Sequence, residues 1–168
     1  MGAAASTVTY RPLRAGEDEL MLAAALGNFN WKTPLFTAEQ VLERPDLSRY
    51  TRFDPERGDF GVVAQRREEP VGVAWALHLP AESPGYGWID AATPEFCVWV
   101  DDPWRGRGIG RLLIRQLLAS ARARGIGHVS LSVDGRNVRA KMLYMDLGFV
   151  PVPGGETYGV LLWTSPGP

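Results

Sequence analysis

Residues 96–100 run apolar without interruption, break at Asp101-Asp102-Pro103, and give way to an arginine- and glycine-rich stretch. Beyond it Ile109, Leu112, Leu113, Leu117 and Ala121 recur at three- and four-residue steps, while Arg111, Arg115 and Arg122 fall on the other side. That period predicts an amphipathic helix ended by Gly125, and the flat apolar run before it predicts a buried strand over 95–100.

Upstream, Val8 and Tyr10 alternate with Thr7 and Thr9, which predicts a first strand over 7–11. Glu17, Asp18 and Glu19 suit the first turn of a helix with an apolar body over 20–26, and Gly27 is expected to stop it. Residues 28–36 read as a loop carrying Phe29, Trp31 and Phe36. Thr37 and Gln40 form a capping box for a short helix that ends before Pro45, and 45–58 has no clear period. Residues 60–65 and 71–79 flank a polar turn at 66–70 and predict a hairpin. The Gly/Pro-rich connection 80–94 contains Tyr86 and Trp88, with Trp88-Ile89 able to extend a strand.

Downstream, 128–133 is a strand, and Asn137 opens a helix whose apolar side is Ala140, Leu143, Tyr144 and Leu147. Gly148 ends that helix as a left-handed cap, and 149–152 and 158–163 are the last two strands. The order β-α-α-β-β-β-α-β-α-β-β implies an α/β (α+β) fold. Its centre is a mixed sheet of about seven strands with helices on both faces. One domain spans 7–164, between an N-terminal tail 1–6 and a C-terminal tail 165–168.

Composition narrows the function classes. A chain of 168 residues, 45% hydrophobic, can bury a full core, and its net charge of −1 gives no global pull towards nucleic acid or a membrane. Cys97 is the only cysteine, and His78 and His128 lie far apart, so neither a disulfide nor a metal is expected. No apolar run reaches membrane-spanning length and no secretory leader is evident, so cytoplasmic residence follows by default. Residues 1–6 match a short myristoylation pattern, but with no basic patch nearby they read as a small-residue tail.

The glycine turn carries the chemistry. Glycines let a backbone approach a ligand closely, and a helix N-terminus offers unpaired N–H groups to phosphate. From Pro103 to Val133 there are six arginines and no acidic residue. Gly106, Gly108 and Gly110 fit neither the dinucleotide fingerprint nor the Walker pattern. Their plain reading is a chain turn followed by a solvated arginine face. A nucleic-acid surface on that face would bind with strong salt dependence, and the balanced net charge argues against it.

Arg105-x-x-Gly108-x-Gly110 after a Val-x-Val strand resembles the acyl-CoA signature of the GCN5-related N-acetyltransferase (GNAT) family. A second block, Asn137-x-x-Ala140-x-x-Leu143-Tyr144-x-x-x-Gly148-Phe149, resembles the strand–helix segment that follows in that family. The resemblance implies a sheet splayed between its fourth and fifth strands, here 95–100 and 128–133. It implies acetyl-CoA as co-substrate and no metal. Its pyrophosphate would lie on the amides of Arg105, Gly106, Arg107, Gly108, Ile109, Gly110 and Arg111. Its pantetheine arm would run along Val98, Trp99 and Val100, near Asn137 and Ala140, with the Val98 N–H polarising the thioester carbonyl.

Tyr144 takes the family's proton-donor position, against a plain reading as a core aromatic. Glu95 is the favoured base, against a plain reading as a strand-end surface acid; Asp90, Glu82 and His78 are weaker candidates, and some members need no base. As side chains, Val98 and Val100 are simply core. Cys97 is read as inert rather than as an acyl-cysteine nucleophile. Acceptor selectivity is assigned to 28–36, 80–94 and 151–157, with Phe29, Trp31, Tyr86 and Trp88 suggesting a partly aromatic pocket. The resulting expectation is direct acetyl transfer to a primary amine of a small molecule or peptide, with no nucleic-acid or membrane partner, by a monomer or homodimer. The alternative is an idle acyl-CoA sensor of the same fold.

Overall fold

The computed structural model describes residues 7–167 and holds one sheet in the order β1-β2-β3-β4-β5-β7-β6. Its strands are β1 (Thr9–Pro12), β2 (Phe60–Arg66), β3 (Glu69–Leu77), β4 (Glu95–Val100), β5 (His128–Ser132), β6 (Val150–Pro151) and β7 (Val160–Thr164). Only β4 and β5 run parallel. The helices are α1 (Asp18–Phe29), α2 (Ala38–Glu43), α3 (Pro45–Ser48), α4 (Ile109–Ala123) and α5 (Val138–Asp146). The mixed sheet of seven strands matches the reading above, and all its pairs but β4–β5 are antiparallel. The myristoylation pattern and Pro168 lie outside the described residues.

Strand alternation gives each face of the sheet its own core. On β3, Val73, Trp75 and Leu77 pack with Met21, Ala24 and Ala25 of α1, while Ala74 and Ala76 face Leu113, Leu117 and Ala121 of α4. Small side chains on the second face let α4 lie close to the sheet. The hairpin turn is tighter than expected: β2 continues to Arg66, and Arg67 and Glu68 alone make the turn, at φ 49° and 71°. Two successive left-handed residues match the twist of the flanking strands. Trp88-Ile89 forms no strand, and β7 begins at Val160.

Gly27 does not stop α1, which continues to Phe29. Its role is steric, because a Cβ there would lie 2.2 Å from Nε1 of Trp99 on β4. Asn28 and Phe29 therefore belong to the helix rather than to a loop. The capping box is present: Thr37 Oγ1 accepts from the Gln40 N–H at 3.2 Å, and Gln40 Oε1 accepts from the Thr37 N–H at 2.9 Å.

The aperiodic stretch 45–58 folds as α3 and two 3-10 turns, 49–51 and 55–57. Asp59 pins it to the sheet. Its fully buried carboxylate accepts from Arg57 Nη2 at 2.6 Å, from the Asp54 N–H at 3.0 Å and from the His78 N–H at 2.7 Å. Burial alone would raise its pKa, but the bonds from His78, Arg57 and Asp54 outweigh it and hold the group below the ordinary value. A depressed folded pKa stabilises above the unfolded value and loses that contribution as pH falls through the folded one. Asp59→Ala is therefore expected to cost about 3 kcal/mol at neutral pH. Urea denaturation at a series of pH values should show that difference shrinking below about pH 4.

Candidate active site

β4 and β5 pair at a single position, Glu95 opposite Ser130, where the Ser130 N–H donates to Pro94 O at 3.0 Å. Beyond it the strands part, and the Val133 N–H turns to Gly159 O on the other side. In an antiparallel ladder, alternate residues address alternate neighbours. The Asp101 N–H donates to Val71 O at 2.9 Å, so 97, 99 and 101 address β3 while 96, 98 and 100 address the gap. Val98 and Val100 thus turn their main chain to the opening. Trp99 does not: its backbone faces Val73 and its indole packs on Gly27, which removes it from the strand edge expected to meet the pantetheine arm.

A cavity of about 490 Å³ fills the gap, and Glu95, Val98, Asn137 and Tyr144 all line it. The Tyr144 ring stands edge-on to Phe96 and Phe149, centroids 5.9 Å and 6.0 Å away. Its hydroxyl has no hydrogen-bond partner among the described residues. Burial, and then the Cys97 thiol, push its pKa well above the usual phenol value, so it keeps its proton at neutral pH. Asn137 Oδ1 caps α5 by accepting from the Ala140 N–H at 3.2 Å. Ala140 itself packs on the core below and does not line the cavity.

Glu95 is not a surface acid: 2% of it is exposed. Oε1 accepts from the Tyr50 hydroxyl at 2.8 Å and from the Gly87 N–H at 2.9 Å. Oε2 has no partner and lies over Gly85, where a Cβ would come within 1.7 Å of it. Burial raises the Glu95 pKa against the opposing pull of Tyr50, Gly87 and Arg49. Burial, then Glu95, also raises the Cys97 thiol well above its ordinary value, which keeps it a thiol. Asp90, Glu82 and His78 lie off the cavity, His78 beside Asp59.

The far end of the gap meets the start of α4. Gly106 and Gly108 hold φ 73° and 81°, and a Cβ on either would meet nothing, so the turn is open on that side. The Arg105 N–H is used by Asp102 O at 3.3 Å, and the first helical bond runs from Leu112 N–H to Gly108 O. Among the described residues, the amides of 106–111 therefore have no acceptor. Arg105 turns its guanidinium to Val100 O at 3.0 Å and Asp102 at 3.1 Å, while Arg107 lies over the Trp104 ring at 4.8 Å. Arg111 pairs with Asp146 at 2.5 Å and ties the first turn of α4 to α5.

On the opposite side Phe29, Trp31, Tyr50, Tyr86 and Tyr158 form an aromatic wall. Trp88 is not part of it; its indole N–H donates to Leu79 O at 2.8 Å and the ring packs in the core. Sequence pattern alone does not place Tyr50 or Tyr158 in this wall. Tyr50 lies in the aperiodic stretch, where only its being an aromatic among polar neighbours marked it. Among the described residues there is no group of three or more His, Cys, Asp or Glu that could hold a metal, and no helix long and apolar enough to cross a membrane.

A family model described as acetyltransferase (GNAT) family matches residues 25–149. A mycothiol acetyltransferase of Beutenbergia cavernae is 47% identical over 163 residues, covering 89% of this chain and 55% of that protein. The chain thus spans about half the length of the curated relatives it matches. A GNAT-family acetyltransferase of Staphylococcus aureus Mu50 superposes with a TM-score of 0.69 at 15% identity, covering 94% and 99% of the two chains. PaiA N-acetyltransferase of Thermoplasma acidophilum, in complex with coenzyme A, gives 0.66 at 14% identity over 95% and 99%. At these identities the structures share the fold.

Proposed function

The chain belongs to the acetyltransferase (GNAT) family, and on that premise we propose that it moves an acetyl group from acetyl-CoA directly to a primary amine. The observation that carries this is the one-residue pairing of β4 with β5. It opens a cavity with Tyr144 and Glu95 on its walls and the unpaired amides of α4 beyond. A socket of main-chain donors at a helix N-terminus suits a diphosphate. The outward N–H and C=O of Val98 and the N–H of Val100 suit an amide-rich arm laid along a strand edge, the Val100 carbonyl being held by Arg105. Acetyl-CoA supplies the acetyl group as a thioester, and this chain's residues do the rest. The Val98 N–H polarises the carbonyl, which then carries negative charge as the amine attacks. The C–N bond forms and the C–S bond breaks, while the Tyr144 hydroxyl gives its proton to the departing sulfur. Glu95 receives the proton that the amine loses.

The relatives named mycothiol acetyltransferase suggest an amine of that compound class as a first acceptor to try. Release of free thiol from acetyl-CoA should depend on added amine and yield the N-acetyl product by mass spectrometry. Tight CoA binding with no turnover on any amine would replace this reading with an acyl-CoA sensor. Gly108→Val tests the socket, because a β-branched side chain is strained at φ 81° and covers the amides. The KM for acetyl-CoA should rise about 30-fold with kcat little changed. An unaltered KM would place the diphosphate elsewhere.

A further inference from the structure

The acceptor side of the cavity has an uneven chemistry. Its rings touch in a chain: Phe29 to Tyr50 at 5.9 Å, Tyr50 stacked on Tyr86 at 6.4 Å, and Tyr86 against Tyr158 at 5.2 Å. Three carboxyl side chains line the space, Glu95, Asp134 and Glu156, and no lysine, arginine or histidine does. The cations nearest by stay off the lining, although the charge of Arg49 reaches Glu95. Arg49 donates to Pro45 O, Arg136 is held by Asp134 at 2.6 Å on the rim, and Lys32 is exposed. Of the buried side-chain oxygens that line the space, Glu95 Oε2 is left without a partner, on a side chain that is almost wholly buried.

Resting on the acetyl-transfer reading, we propose that this site accepts an amine on an uncharged, ring-bearing body and rejects one with a carboxylate beside the nitrogen. Ring faces attract an ammonium and offer flat surface to an uncharged ring. A substrate carboxylate would enter a space lined by carboxyl groups and by no cationic side chain, so its lost hydration goes poorly compensated. In an α-amino acid the amine and the carboxylate share one carbon, so the first cannot reach Glu95 without burying the second.

The test compares phenethylamine with phenylalanine, which share a ring and differ in the carboxylate. The carboxylate makes the amine less basic, so a larger share of phenylalanine carries an unprotonated amine at any given pH; a preference for phenethylamine must therefore come from the protein. The ratio of kcat/KM is expected to favour phenethylamine about 100-fold, and a ratio near one or below overturns the proposal. Tyr158→Arg places a cation on an exposed part of the wall and should cut the ratio about tenfold; an unmoved ratio also overturns it. If neither amine is acetylated, the same comparison is read as dissociation constants from tryptophan fluorescence with CoA present. A 100-fold ratio there upholds the acceptor assignment while the turnover reading falls, and equal constants sink the acceptor assignment as well.

Discussion

Tyr144→Phe is expected to lower kcat for amine acetylation about 1,000-fold while the KM for acetyl-CoA stays within about twofold. The ring keeps its edge contacts with Phe96 and Phe149, so the substitution removes one hydroxyl and little else. That hydroxyl donates to no protein group among the described residues, and burial keeps its proton in place well into the alkaline range. Without it, the sulfur must leave as a bare thiolate. Steady-state kinetics and CoA titration calorimetry on the same preparation separate the two parameters. A kcat within tenfold of the unaltered chain would remove Tyr144 from the proton path.

Glu95→Gln is expected to cost about 100-fold in kcat/KM for the amine and to flatten the acidic side of the pH profile. Burial raises the Glu95 pKa, so the unaltered chain should gain activity with rising pH above the ordinary carboxylate range, as the carboxyl loses its proton. The amide has no proton to lose there, and the rise should vanish. Gln keeps an oxygen for Tyr50 and Gly87, so thermal stability and CoA affinity should hold. If the pH profile of E95Q still rises as before, the amine arrives already deprotonated and Glu95 only braces the wall.

Local pattern sufficed for elements whose fate is decided within their own residues. β4 carries the bounds that its apolar run predicts, and Asn137 caps α5 as its position before the helical period suggests. Gly27 failed because the partner that explains it, Trp99, is far away in the chain. Trp99 is legible: a period of two places it opposite to Val98 and Val100, so it cannot share their edge. Tyr50 was beyond reach, since its bond to Glu95 spans 45 residues and its own segment has no repeating pattern. The sealing of Glu95 by Gly85 and Gly87 is likewise a matter of three-dimensional approach, invisible in a stretch that reads only as Gly- and Pro-rich.

The partial pairing of β4 with β5 also bears on where a foreign strand could join the sheet. Sheets join neighbours through their outermost strands, and here both outer strands are short and carry a proline: Pro12 in β1 and Pro151 in β6. The stretch of backbone most able to recruit a foreign strand is instead the interior rung of Val98 and Val100, flanked by the rims of the sheet. A flexible thread can enter there, whereas a second folded sheet cannot.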